Sequence, residues 1–234
     1  MATFVLVHGA WHGGWCWKLV APALRRAGHE VYAPSLTGLG ERRHLASRDI
    51  DLDTHVQDVV GLLEMEDLER VTLLGHSYGG MVVTGVADRA AGRIAQLVYL
   101  DAFVPENGKC LLDYAVPERA ARMREEGERT GFVTPPPMSL WGLTKPEHLA
   151  FVGPREVPHP FGTMVQKIRL THEPQLPRTF IYCSSPATGS FDQFAAKYRD
   201  DPAWRFRELP TGHDAMLLMP EAVTQILLEG TAAS

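Results

Sequence analysis

Residues 71–83 read VTLLGHSYGGMVV: an apolar, β-branched run enters Gly75-His76-Ser77-Tyr78-Gly79-Gly80, and an amphipathic helical pattern, MVVTGVADRA, leaves it. The middle is a G-x-S-x-G match, a pattern that gains meaning where a strand turns sharply into a helix. Gly75 and Gly79 flank Ser77, at places where neighbouring backbone passes too close for a Cβ and the serine itself is strained. Working outward, TFVLVHG at the N-terminus reads as a buried strand, Trp15 to Ala27 as a helix ending at Gly28, and HEVYAPS as a second strand. A helix over Leu52 to Met65 precedes the strand at 69–75, and IAQLVYLD, 94–101, is the next strand. Strand and helix in alternation predict an α/β fold: a mostly parallel sheet with helices on both faces.

From Pro105 to Pro177 the rhythm breaks. A Pro135-Pro136-Pro137 run, the charged segment RAARMREEGER and scattered aromatics replace it. A structureless loop of that length inside a compact domain is improbable, so an inserted helical cap is expected over 105–177. Core segments 1–104 and 178–234 flank it, the second resuming with RTFIYCS, a helix from about Ser190, the strand WRFRELP and a last helix to about Glu229.

The chain has 234 residues with 23 Lys plus Arg against 28 Asp plus Glu, a formal charge of −5. Nothing there is the electrostatic footprint of a nucleic-acid or anionic-lipid binder. No apolar stretch approaches the ~18 residues of a membrane span. Three cysteines, Cys16, Cys110 and Cys183, are odd in number and lack metal-ligand spacing, so a reducing, cytoplasmic setting is expected, without metal or cofactor. A homodimer is allowed and not required.

A nucleophilic serine needs a base. His213, in ELPTGHDAM between the last strand and last helix, is the best placed of ten histidines, and Ser before His in the chain matches the hydrolase order. His76 is expected to point away from Ser77. Charge on the attacked carbonyl oxygen needs two backbone N–H groups; Tyr78 and Ala10, the latter within HGAWHGGW, are the candidates. For the acid, Asp101 ends the strand expected beside the nucleophile strand, where ligand sites of open α/β sheets lie. Asp192 is the alternative, but Ser190-x-x-Gln193 reads as a capping box that puts it in a first helical turn. Asp214 is a third, with a cap on the last helix as its ordinary role.

These segments, VLVHGAWHGGWCW, AGHEVYAPSLTGLG, VTLLGHSYGGMV, LVYLDAFVP and the His213 loop, resemble the α/β-hydrolase fold, in the branch of plant methyl salicylate esterases, polyneuridine aldehyde esterases, hydroxynitrile lyases and their bacterial relatives. The resemblance implies Ser77 as nucleophile, His213 as general base, and the Ala10 and Tyr78 amides as oxyanion hole. It also implies that the two leading antiparallel strands of the fold are absent. Plant members commonly carry the acid after the strand that reads FIYC here, yet residues 184–189, SSPATG, hold no carboxylate. Lipases and haloalkane dehalogenases resemble this chain in placing it where Asp101 stands. The expected function is a serine esterase acting on a small-molecule ester, with Trp11, Met138, Trp141 and Met164 lining an apolar pocket. A hydroxynitrile lyase is the first rival, disfavoured because the plant enzymes have Lys and Thr where Asp214 and Ala10 stand. A non-catalytic small-ligand receptor on the same scaffold is the second.

Overall fold

The computed structural model describes residues 1–172 and 175–232. Its strands are β1 (Thr3–Val7), β2 (Glu30–Tyr32), β3 (Val71–His76), β4 (Ile94–Leu100), β5 (Phe132–Val133), β6 (His159–Pro160), β7 (Arg178–Cys183) and β8 (Trp204–Leu209). Six of them form one parallel sheet in the order β2-β1-β3-β4-β7-β8. Every residue of β3 is buried, as a central strand covered on both faces requires. The helices are α1 (Val20–Arg26), α2 (Leu52–Met65), α3 (Gly79–Ala90), α4 (Pro117–Thr130), α5 (Pro146–Val152), α6 (Gly162–Val165), α7 (Asp192–Tyr198), α8 (Ala215–Leu218) and α9 (Pro220–Ala232). Asp51 caps α2 by accepting from the Thr54 amide, while the Thr54 side chain receives the Asp51 N–H in return.

Strand order reverses between β1 and β3. The loops after these two strands, carrying Ala10 and Ser77, therefore diverge at the carboxyl edge and leave a crevice, the usual ligand position in open α/β sheets.

Four expected elements change form. The first helix is a 3₁₀ turn, Gly14–Trp17, followed by α1; Pro22 lacks an N–H and is tolerated only in a first turn, so the helix starts just before it. The second strand pairs over three residues at the sheet edge, short of Pro34. Pro220 divides the last helix into α8 and α9. The expected box at α7 is absent: Phe191 holds the cap position without a side-chain bond, and Ser190 Oγ is taken by Arg119.

Between β4 and β7 the chain carries α4, α5 and α6 and also the antiparallel pair β5–β6, which pairs Val133 with His159. This segment is bonded to the core loop after β1: Trp11 Nε1–H donates to the Val133 carbonyl at 2.8 Å, and the Val157 amide donates to the Trp11 carbonyl at 3.1 Å.

Candidate active site

Ser77 stands at the junction of β3 and α3 with φ of +54°, in the left-handed region that a non-glycine residue enters only under constraint. The turn is tight enough that a Cβ on Gly75 would meet the Gly79 carbonyl oxygen at 2.5 Å, and one on Gly79 the His8 oxygen at 2.8 Å. The Ser77 carbonyl accepts from the amides of Gly80 and Phe103, and its amide donates to the Leu100 carbonyl, so the strained residue is held from both sides.

Asp101 follows β4, also at positive φ, and its amide extends the ladder onto the Ile181 carbonyl of β7 at 2.7 Å. The carboxylate lies across the ends of β4 and β7. Its Oδ1 accepts from the Cys183 amide at 3.1 Å, and Oδ2 accepts from His213 Nδ1 at 2.7 Å. That bond fixes the proton on Nδ1 and leaves Nε2 as the basic nitrogen. Burial pushes the Asp101 carboxyl up from the ordinary range, against the Cys183 N–H. Burial likewise pushes His213 down, with the charges of His12 and Arg119 adding to it and that of Asp214 opposing it. The imidazole is therefore neutral at rest.

His213, Ser77, Ala10, Tyr78, Trp11, Trp141 and Met164 all line one small cavity of about 30 Å³. Ser77 Oγ and the Ala10 and Tyr78 amides make no hydrogen bond among the described residues. Catalytic hydrogen bonds of free enzymes commonly tighten only around substrate. A larger groove of about 530 Å³, lined by Pro105, Lys197 and Trp204, contains none of these residues. Converging reactive groups, not size, mark the smaller cavity as the site.

Met138 is not at the cavity. Its methyl lies 3.3 Å from where a Gly153 Cβ would be, against the end of α5, because the 3₁₀ turn Met138–Trp141 directs Trp141 inward instead. Asp192 stands in the first turn of α7 and accepts from the Tyr182 hydroxyl; among the described residues it makes no bond to His213.

Asp214 does not use its side chain to cap α8. Its Oδ2 meets His12 Nε2 at 3.1 Å in a fully buried pair, and His12 Nδ1 donates to the Ala10 carbonyl at 2.8 Å. Burial alone would depress His12, but the Asp214 charge and hydrogen bond outweigh it and raise its pKa to about 9. Burial would raise Asp214, and the same partner holds it below the usual carboxylate range. This imidazolium–carboxylate pair ties the Ala10 loop to the His213 loop. His76 reaches His213: its Nε2 donates to the His213 carbonyl at 3.1 Å and the rings lie 4.5 Å apart. His76, His213 and Asp214 bring ligand-type atoms within 4.8 Å of one another. The bonds to His12, Asp101 and the His213 carbonyl account for that proximity.

The sequence reading also missed Phe191, stacked on His213 at 4.9 Å, and Arg119, which lines the cavity from α4. Arg119 had a signal: it stands four residues before Met123 and eight before Gly127, the buried stripe of α4.

The profile described as "Alpha/beta hydrolase family" matches residues 4–226. The chain belongs to the alpha/beta hydrolase family. This alpha/beta hydrolase is 41% identical to the carbendazim hydrolyzing esterase of Nocardioides sp. (strain SG-4G), over 97% of its own length and 98% of that protein. It is 36% identical to methylesterase 2 of Arabidopsis thaliana over 44% of its length and 40% of the other. Among solved structures, an extracellular alpha/beta-hydrolase from a Paenibacillus species, said to share structural and functional homology with tobacco salicylic acid binding protein 2, superposes with a TM-score of 0.82. That match covers 98% of each chain at 24% identity, a likeness of fold.

Proposed function

We propose that this esterase cleaves carboxylic esters through an acyl-enzyme, with Ser77 as nucleophile, His213 as general base and Asp101 as its acid partner. The observation that carries the reading is the 2.7 Å bond from His213 Nδ1 to Asp101, made at the wall of the cavity that also holds Ser77. Ser77 Oγ attacks the ester carbonyl while His213 Nε2 takes its proton. The oxyanion is received by the Ala10 and Tyr78 amides, which have no other acceptor among the described residues. Collapse breaks the acyl C–O bond, and the imidazolium returns its proton to the leaving alcohol. Water then repeats the sequence on the acyl-enzyme and frees the acid and Ser77.

Residues 105–177 are proposed as the cap, on the strength of the Trp11 and Val157 bonds and of Met123, Trp141 and Met164 at the cavity wall. Trp11 lines it from the core side. Carbendazim, the compound named for the 41% identical relative, is the first specific substrate to try. No helix among the described residues is long and apolar enough to cross a membrane. A reducing compartment is proposed on three buried, free cysteines. The lyase alternative is favoured by less: the alpha-hydroxynitrile lyase of Arabidopsis thaliana is 36% identical over 44% of this chain, against 41% over 97% for the esterase. Reaction with a fluorophosphonate, followed by peptide mapping, tests the proposal: label is expected on Ser77, and an unlabelled Ser77 in folded, ester-cleaving protein overturns it.

A further inference from the structure

The cavity that holds Ser77 is walled mostly by apolar side chains, yet one cation faces it. Arg119 projects from the inward stripe of α4 rather than from the solvent side, where Arg122, Arg124 and Arg129 stand exposed. Its Nη1 donates to Ser190 Oγ at 3.1 Å and its Nη2 to the Thr188 carbonyl at 3.2 Å. These neutral acceptors occupy two of the five N–H donors that a guanidinium carries. No carboxylate of the described residues lies within ion-pair distance of it. Burial already works against its charge, and the charge is felt at His213.

A half-buried cation with no counter-ion is costly to keep, and a planar fork with donors to spare matches a carboxylate. We infer that Arg119 is an anion subsite of the catalytic cavity and that the preferred substrates are esters carrying a second, ionised carboxylate, such as monoesters of dicarboxylic acids. The inference rests on the esterase reading and deepens it. The two bonds to residues 188 and 190 hold the guanidinium next to Phe191, which stacks on His213, so the bound anion would sit on the His213 side of the cavity. A tether between α4 and the loop before α7 would make the same two bonds without selecting for charge, and that difference is measurable.

Each charged ester is compared with a neutral counterpart: p-nitrophenyl hydrogen glutarate with p-nitrophenyl pentanoate for charge on the acyl side, and 3-acetoxybenzoate with phenyl acetate for charge on the alcohol side. The wild type is expected to favour the charged member of one pair in kcat/KM by about tenfold, and Arg119→Met to erase that ratio. Arg119→Lys, which keeps the charge and loses the fork, is expected to retain part of it. Should both variants fail to fold, inhibition of the wild type by glutarate against glutaramide reads the same subsite, with the anion binding about tenfold tighter. A wild type without charge preference in either pair, a ratio unchanged in Arg119→Met, or equal inhibition by glutarate and glutaramide overturns the inference. Loss of hydrolysis of all four esters with an unlabelled Ser77 would instead overturn the esterase reading.

Discussion

Ser77, His213 and Asp101 derive their proposed chemistry from where their protons sit. Ser77→Ala is expected to reduce ester hydrolysis to near background with an unchanged circular dichroism spectrum, since only binding and the two amides remain. Asp101→Asn is expected to lower kcat by at least roughly a hundredfold, because the amide can no longer hold the imidazole in its tautomer or stabilise its charge. Asp192→Asn removes a carboxylate bonded to the Tyr182 hydroxyl and should change kcat little. Reversal of that order would place the acid after β7. The pH profile of kcat/KM is a further check. Burial, His12 and Arg119 push His213 down, so its acid limb should lie below the ordinary histidine value of about 6.5, with activity lost as pH falls through it. A limb above that value would mean that the Asp101 charge outweighs burial.

Between elements, the buried His12–Asp214 pair joins the loop after β1 to the loop after β8. Its effect on stability has a definite sign. The folded pKa of His12, about 9, exceeds the unfolded value of about 6.5, so its contribution is complete below the unfolded value and disappears as pH rises through about 9. The shift corresponds to roughly 3 kcal/mol, as an order of magnitude. Asp214, held below its unfolded value, contributes above that value and loses its contribution in acid. Melting temperature measured from pH 7 to pH 10 should fall in the wild type. In Asp214→Asn it should start lower and fall less, since His12 then has no charge to keep it protonated; equal slopes would show that the pair does not titrate. This pair was not legible in the sequence, where its members stand 202 residues apart, His12 inside a glycine-rich loop and Asp214 with a helix cap as its ordinary role.

At the scale of the whole molecule, the ends of β3, β4 and β8 bring Ser77, Asp101 and His213 together, and Met123, Trp141 and Met164, from the segment between β4 and β7, line the same cavity as Ser77 and His213. The cavity of about 30 Å³ has room for little more than a water, so its walls must yield to admit an ester. Met123→Ala removes bulk from that wall without touching the Ser77–His213–Asp101 set. It is expected to raise the kcat/KM ratio of p-nitrophenyl benzoate to p-nitrophenyl acetate several-fold, and an unchanged ratio would separate α4 from acyl selection. Trp141 is a poorer probe, because its ring lies 5.0 Å from that of His213 and its carbonyl accepts from the Asp214 amide, so loss there would disturb chemistry and shape together.

The sequence by itself determined the α/β alternation, the strand–turn–helix at Ser77 and the candidacy of His213 and Asp101, because each rests on local pattern: β-branched runs, glycines where backbones cross, and a carboxylate at a strand end. Only the tertiary structure decided which groups share protons and charge. Asp101 meets His213 because its carboxylate spans the ends of β4 and β7; Met138 turns away while Trp141 turns in; and Arg119, on a helix whose composition reads as solvated, faces the cavity. Those outcomes depend on burial and on contacts between residues far apart in the chain, and a chain read along its length carries neither.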